Sequence, residues 1–274
     1  MSIKEKQNNE NILKLQYTSR HIYNFAELLG YISWLLTFVI ILIGWFDKSN
    51  NSYIVAYVVA AVTILNTVVD YLRKKAINMA ASIRTYIDYT LFDISTMKIF
   101  NGFTIDTING VGEFVLKFHK KTYQKQVSNS GTDAYKGVRD WYTLNDNMTK
   151  EEEILSAQKE NCSFDMNISK YTFVLFTAIL IIAMVIIIKL DSKFLLICAF
   201  IPLLLKVIKF FIDYIEYKKI CDEEKIIISK LNEKGYDREL SLQLQECIDN
   251  RRKLNFVVFS FIYKLKSINL HNKK

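Results

Sequence analysis

The sequence contains few residues that interrupt helices and none of the common residue patterns that support catalysis. Its 274 residues include one proline and eight glycines. Because proline breaks helices and glycine weakens them, this composition favours a helical fold. The sequence has no phosphate-binding glycine loop, no nucleophile elbow and no zinc-binding spacing of histidine or cysteine. It therefore predicts no catalytic residues, no metal site and no enzyme activity.

Cysteine and charge narrow the class of protein further. The four cysteines show no C-x-x-C spacing, and we interpret them as reduced, structural thiols. The formal net charge is +8 at pH 7, which suits an anionic partner such as nucleic acid or anionic lipid. The apolar segments favour the lipid bilayer as that partner, so no DNA or RNA is expected to bind.

Apolar residues make up 51% of the chain, and they are concentrated in four runs that carry almost no charge: residues 28–46, 53–69, 171–188 and 194–212. A helix needs about 20 apolar residues to cross roughly 30 Å of hydrocarbon. A buried core helix is the alternative for each run, but a soluble core would be spread along the chain rather than placed in paired runs. The sequence predicts an all-α integral membrane protein with four transmembrane helices arranged as two hairpins, and with helical cytoplasmic regions.

The distribution of lysine and arginine predicts the topology. These residues flank the paired runs, whereas the two inter-run turns, residues 47–52 and 189–193, are short and hold few of them. Positive charge near span ends favours the cytoplasmic side. Both turns are therefore expected outside, and both termini in the cytoplasm. The predicted parts are a cytoplasmic leading helix (1–27), a first transmembrane hairpin (28–69), a central cytoplasmic helical region (70–170), a second transmembrane hairpin (171–212) and C-terminal cytoplasmic helices (213–274).

Local signals refine this division. Residues 70–97 have helical periodicity without proline or glycine, so the second span is expected to continue as a helix. Residues 101–112 contain glycine and asparagine and are expected to form a loop. Gly235 predicts the end of one C-terminal helix and the start of another. Pro202 lies in the fourth run and is expected to kink it.

Small residues form a stripe along the second run at helical spacing: Ala56, Ala60, Thr63 and Thr67. Small residues let membrane helices approach closely. The stripe is interpreted either as packing within the hairpin or as packing between protomers. Asn66 lies beside it and requires a hydrogen-bond partner inside hydrocarbon.

Two lysines, Lys206 and Lys209, share a face of the fourth run. One interpretation is that their stems extend to the cytoplasmic interface. The other is a ring of cations in an assembled pore.

Five stretches, in chain order, resemble the motifs of one bacterial family. They are residues 16–26 (QYTSRHIYNFA), 80–92 (AASIRTYIDYTLF), 140–142 (DWY), 157–165 (AQKENCSFD) and 245–252 (QECIDNRR). Together with four apolar runs they resemble the SMODS-associating four-transmembrane effectors of bacterial CBASS anti-phage operons. The family's L-P-W-N element is replaced here by residues 93–96 (DIST), and its C-terminal proline is missing from residues 255–263.

The resemblance implies a mechanism. A nucleotidyltransferase makes a cyclic oligonucleotide, which the effector binds on its cytoplasmic side as an activating ligand rather than as a cofactor. The effector then assembles as a homo-oligomer and breaches the bacterial inner membrane, which kills the infected cell. Because four helices enclose at most a narrow channel, a lethal pore would require several copies.

Basic and aromatic residues in the cytoplasmic regions are candidates for binding this ligand, because arginine pairs with phosphate and aromatic rings stack on bases. The candidates are Arg84, Tyr86, Arg139, Trp141, Tyr142, Arg251 and Arg252. A purely structural interpretation pairs Arg84 with Asp88 at i, i+4 and places Trp141 in the core. For the whole chain, the alternatives are a membrane-anchored helical adaptor for a protein partner and a small channel or transporter.

Overall fold

The computed structural model describes residues 2–46, 52–94, 99–130, 133, 137–188, 193–254 and 256. Nearly all of them are helical. The elements are α1 (Ile3–Lys6), α2 (Glu10–Phe46), α3 (Ser52–Leu91), β1 (Ile99–Phe100), β2 (Phe103–Thr104), α4 (Ile105–Val127), α5 (Lys150–Ile188), α6 (Lys193–Lys234) and α7 (Arg238–Lys253). The expectation of a mainly helical protein is confirmed.

Four helices are much longer than a membrane is thick. The helices α2, α3, α5 and α6 contain 37, 40, 39 and 42 residues. At 1.5 Å per residue they extend roughly 55 to 63 Å, about twice the hydrocarbon thickness. Each therefore has the length for a membrane span and for a polar continuation. The two expected turns fall mainly on residues 47–51 and 189–192, which lie outside the described residues.

The chain divides into two compact units. The first unit comprises residues up to Asn24 together with Ala76–Asp165 and Lys219–Lys253. The second unit contains Phe25–Lys75 and Met166–Lys218. All four long helices pass from one set of residues to the other without interruption.

The core of the first unit surrounds the C-terminal half of α3. From Ala80 to Asp88 this helix is buried at every position except the half-buried Tyr86. Apolar residues from α1, α2, α4 and α5 pack around it, as do residues from the segment before α5. The buried members are Ile3, Ile12, Leu15, Ile83, Ile87, Leu91, Phe92, Phe100, Ile108, Tyr142, Leu144, Ile154 and Ala157.

The expected loop at residues 101–112 is wrong for most of its length. Asn101 and Gly102, with φ of 51° and 87°, form only a two-residue turn between β1 and β2. Helix α4 then begins at Ile105, where the Thr104 side chain accepts a hydrogen bond from the Thr107 amide. Gly112 lies inside α4, and a Cβ there would be 3.5 Å from Leu15. That is an ordinary contact distance, and Gly112 is a buried residue inside α4 that does not mark a loop.

Two helix ends were also predicted. Helix α3 ends at Leu91 rather than at residue 97, because Asp93 takes a left-handed conformation with φ of 53°. The break at Gly235 is confirmed: α6 ends at Lys234, and Gly235 has φ of 83°. Pro202 lies within α6, but its side chain is outside the described residues.

Many large apolar side chains of the second unit are exposed. Among the described residues, two helical stretches are long and apolar enough to cross a membrane, Glu10–Ile40 and Ala56–Leu91. Exposed large apolar patches of this kind mark contact with lipid or protein. The exposed apolar residues on α2, α3, α5 and α6 include Leu28, Leu35, Leu42, Tyr53, Tyr57, Ile64, Leu65, Val174, Ile181, Ile182, Leu205, Ile208 and Ile212.

Two glycines of the first unit should respond oppositely to substitution by alanine. At Gly137 a Cβ would overlap the backbone of Asn129 and of Gln126, whereas at Gly110, inside α4, it would meet nothing within 4 Å. We expect Gly137→Ala to cost about 1–3 kcal/mol of stability. Gly110→Ala should stabilise the protein by up to about 1 kcal/mol. Thermal unfolding of both variants in detergent measures the difference, and equal melting temperatures would contradict this packing.

Candidate functional site

A buried polar network lies in the core of the first unit. It joins side chains from α3, from the segment before α5, and from α5 and α7. Its members come from four of the five stretches that carry the family resemblance. They are Thr85 and Asp88 on α3; Tyr142 in the segment before α5; Gln158 and Asn161 on α5; and Gln245, Asp249 and Arg252 on α7.

Two buried carboxylates, Asp88 and Asp249, share their partners. The Arg252 guanidinium lies 2.8 Å from Asp88 Oδ2 and 3.5 Å from Asp249 Oδ1. The Gln245 amide donates to both carboxylates, at 3.2 and 3.1 Å. Thr85 donates to Asp249 at 2.9 Å. Because an isolated buried charge is costly, this sharing holds α3 and α7 in one register.

Tyr142 connects this pair to α5. Its hydroxyl donates to Asp88 Oδ1 at 2.8 Å and accepts from the Asn161 amide at 2.9 Å. The main chain of Tyr142 is bound by Gln7, which follows α1. The Gln7 side chain accepts a hydrogen bond from the Tyr142 N–H and donates one to the Tyr142 carbonyl. The D-W-Y segment is therefore fixed at both its backbone and its side chain.

Arg251 makes a second buried ion pair. Its Nε lies 3.0 Å from Glu224 of α6, and both side chains are almost completely buried. Its NH2 also donates to the carbonyl of Asn161. The two adjacent arginines of α7 thus contact different helices: Arg252 contacts α3, whereas Arg251 contacts α5 and α6.

The electrostatics of the network follow from burial and from these pairings. Burial raises the pKa of Asp249 to about 6, and the neighbouring Asp88 acts in the same direction. Burial also raises the pKa of Tyr142, helped by Asp88. Burial alone would lower the pKa of Arg252, but Asp88, Tyr142 and Asp249 together raise it above its ordinary value.

Arg84 differs from Arg251 and Arg252 in having no acidic side chain within ion-pair distance among the described residues. Its side chain is 9% exposed, and its guanidinium carbon lies 4.0 Å from the centre of the Trp141 ring. Among the described residues it makes no ion pair and no hydrogen bond. Burial, with the nearby charge of Arg252, lowers its pKa to about 10. The predicted pairing of Arg84 with Asp88 is therefore wrong: Asp88 is already occupied by Arg252 and Tyr142.

The remaining ligand candidates separate into two kinds. Trp141, Tyr142, Arg251 and Arg252 lie in or next to the network with Arg84. Tyr86 packs its ring edge-on against Phe100, 5.4 Å between centroids, and belongs to the apolar core. Arg139 is exposed on the segment that pairs with Ser130, outside the network. Sequence reasoning missed the carboxylates and amides, although the same motifs contain them.

A second polar cluster lies in the second unit, among α2, α3 and α6. The Lys206 ammonium donates to the hydroxyl and carbonyl of Ser33, to Thr37 at 3.1 Å and to Asn66 at 3.4 Å. The Lys206 ammonium therefore turns inward, toward α2 and α3, and both interpretations of this lysine, at the cytoplasmic interface or in an assembled pore, stay predictions. Lys209 is half-exposed and lies 3.7 Å from Asp70.

Asn66 obtains the partners that its position required. Its Oδ1 accepts from Ser33 at 2.6 Å, and its amide donates to Thr37 at 3.3 Å. By contrast, Ala56, Ala60, Thr63 and Thr67 are exposed in the single chain. Thr63 and Thr67 donate only to carbonyls of their own helix. The stripe is therefore not buried within the hairpin, because the α3 face that contacts α2 carries Asn66 and Asp70 instead.

Fold and polar clusters together define a class: a helical protein with segments able to cross a membrane. Among the described residues, no group of three histidine, cysteine, aspartate or glutamate side chains could hold a metal ion. The family model of the SMODS-associating 4TM effector domain matches residues 1–272.

The chain belongs to this family of membrane effectors. Membership indicates a CBASS-type effector with a link to signals made by nucleotidyltransferases, and the family is not a known catalytic fold. No curated protein and no solved structure matches the chain.

The Lys206 cluster predicts coupling between two substitutions. Asn66→Leu removes an acceptor and leaves the ammonium with fewer partners, so it should cost about 1–3 kcal/mol. In a Lys206→Met background the same change should cost much less, because no buried charge remains. Melting temperatures of the parent, both single variants and the double variant give the coupling energy, expected at about 0.5–3 kcal/mol. Thr63→Leu, on the exposed face of α3, is the control. Additive effects would exclude the interaction.

Proposed function

We propose that the chain is a membrane-disrupting effector of bacterial anti-phage abortive infection, activated when its first unit binds a cyclic oligonucleotide. In this proposal the second unit spans the inner membrane as two hairpins, residues 28–69 and 171–212, with both termini in the cytoplasm. The first unit then receives the signal from parts of residues 1–27, 70–170 and 213–274. Family membership supports the effector role, and the buried network supports a sensing role for the first unit.

The observation that carries the sensing role is the buried, unpaired Arg84. Transfer of a charged group out of water is costly unless an opposite charge accompanies it. The other buried arginines of the network, Arg251 and Arg252, face Glu224 and Asp88. Arg84 instead lies against the Trp141 ring, a contact worth about 0.5–2 kcal/mol, and the charge of Asp88 acts on it without forming an ion pair. An anion that reached its guanidinium would add the missing counter-charge.

The surroundings of Arg84 suit a phosphate joined to a base. Guanidinium N–H groups match phosphate oxygens, and the indole of Trp141 offers a ring on which a base can stack. Since Arg84 is 9% exposed, a nucleotide would have to open the contact between Arg84 and Trp141. Binding would therefore be coupled to a rearrangement of the first unit.

Such a rearrangement can be transmitted along the helices. The helices α2, α3, α5 and α6 continue from the first unit into the second without a break. A ligand shifts an equilibrium only by its differential affinity for the two states. An activator must therefore bind the assembled form more tightly than the resting form.

Assembly of several copies is part of the proposal. The exposed stripe of Ala56, Ala60, Thr63 and Thr67 suits close contact with a helix of another copy, since small residues allow backbones to approach. Inside each chain, Lys206 is held by neutral oxygens. If α6 turned toward a shared pore, this lysine would be released to line it.

Loss of the Arg84 charge should abolish the response to ligand without loss of fold. Arg84→Met keeps an unbranched apolar side chain against Trp141 and removes a buried charge, so its melting temperature should equal or exceed that of the parent. Reconstituted into liposomes, the parent should release dye with at least one member of a panel of cyclic di- and trinucleotides. Arg84→Met should release at least tenfold less. Arg139→Met is the matched control, because Arg139 is exposed and lies outside the network.

Three outcomes of the dye-release experiment would change the proposal in different ways. If no nucleotide of the panel binds the parent or changes permeability, activation by nucleotides is excluded. If a protein partner induces permeability instead, the adaptor interpretation is favoured. An equal response from Arg84→Met and the parent would remove Arg84 from the site while retaining the ligand.

Ala60→Leu should impair assembly more than insertion. The larger side chain forces the contacting helices apart, at about 1–3 kcal/mol for each interface. Leu65→Phe, which adds volume on the opposite side of α3, is the control. Native mass spectrometry of ligand-treated protein should show fewer oligomers for Ala60→Leu only. An unchanged oligomer distribution, with unchanged dye release, would show that the stripe does not contact another copy.

A further inference from the structure

The outer face of α4 carries two aromatic rings that the fold does not use. Phe114 and Phe118 are 64% and 65% exposed, and their ring centroids lie 5.0 Å apart. The opposite face of the helix already packs inward, through Ile108, Gly112 and Val115. These inner residues join the clusters around Leu15 and around Leu13 and Tyr17. The two phenylalanines therefore do not take part in the core of the first unit.

The same part of α4 is strongly basic. Residues 114–127 contain four lysines and no aspartate or glutamate. All four lysines are exposed: Lys117, Lys120, Lys121 and Lys125. The nearest acidic residue along the helix, Glu113, is engaged by Lys14 of α2 at 2.6 Å. Helix α4 is kinked at His119 (φ −124°, ψ 27°), so Lys117 precedes the kink with the phenylalanines and the other three lysines follow it. The phenylalanines and the four lysines together are here called the α4 outer face.

We propose that the α4 outer face binds the surface of an anionic bilayer, with Phe114 and Phe118 inserted at the level of the headgroups. Exposed aromatic residues on a helix with flanking lysines are typical of interfacial membrane binding. Lysines near an anionic surface strengthen such binding and make it dependent on salt. The proposal concerns the first unit and does not depend on the identity of the activating ligand.

Two other partners fit this face less well. A second copy of the chain would bring four lysines against four lysines, and like charges oppose such a contact. A nucleic acid would be expected to meet arginines, whose planar forks match phosphates, whereas this face has only lysines. Lysine ammonium groups suit a diffuse anionic surface, where position matters less than charge.

The experiment uses the full-length chain in lipid nanodiscs with an environment-sensitive dye on Phe118→Cys. Unsubstituted protein treated in the same way gives the contribution of the native cysteines. In nanodiscs that contain phosphatidylglycerol, the dye emission should shift to the blue and brominated lipid should quench it. In phosphatidylcholine nanodiscs both effects should be lost. At about 1 M salt, where the Debye length is about 3 Å, the shift should largely disappear.

Two controls separate lipid binding from other causes. A dye on Ile226→Cys, at an exposed position of α6 in the first unit, should not respond to lipid charge. Replacement of the four lysines by glutamine should remove the shift, because each lysine contributes about fivefold to binding at an anionic surface. Circular dichroism checks that this variant remains helical.

The proposal is overturned if the Phe118 dye gives the same emission in both lipids, or if the lysine-free variant responds as the parent does. It is also overturned if the shift requires added oligonucleotide or grows with protein concentration, since these results assign the face to nucleic acid or to self-association.

Discussion

The organisation of the first unit depends on how two buried carboxylates are compensated. Asp88 and Asp249 come from helices 161 positions apart in sequence, yet they share Arg252 and Gln245. An isolated buried carboxylate is costly, and these shared partners compensate both of them. This requirement fixes α7 against α3, and Tyr142 and Asn161 extend it to α5. Removal of one partner would leave a buried charge without compensation. This cost disfavours other arrangements of the same side chains.

Much of the fold follows from the sequence, because helix periodicity and the scarcity of proline are local properties. They predicted the long helices and the break at Gly235. The segment from residue 101 to 112 was predicted wrongly for a reason that is not local. A glycine inside a helix costs about 1 kcal/mol on propensity grounds. Gly110 and Gly112 nevertheless lie inside α4, where Ile108 and Val115 are buried, and that burial comes from tertiary contacts that the segment by itself does not reveal.

The candidate site was harder to predict, since charge pairing depends on tertiary structure. The residues at i, i+4 on α3 suggested that Arg84 pairs with Asp88. In the structure Arg252, 164 positions further along, takes that carboxylate and Arg84 is left on Trp141. The same limit applies in the second unit. Nothing near Lys206 in sequence indicates that Ser33 and Asn66 accept hydrogen bonds from its ammonium.

The two units hold buried cations in different ways, and this difference bears on where a signal could act. In the second unit, Lys206 is surrounded by oxygens from α2 and α3, so its release would break several hydrogen bonds. In the first unit, Arg84 lies against the Trp141 ring and forms no ion pair within the described residues, although the charge of Asp88 acts on it. In the proposed mechanism, an anion that paired with Arg84 would therefore break no existing ion pair, whereas moving Lys206 would cost the hydrogen bonds that it donates to Ser33, Thr37 and Asn66.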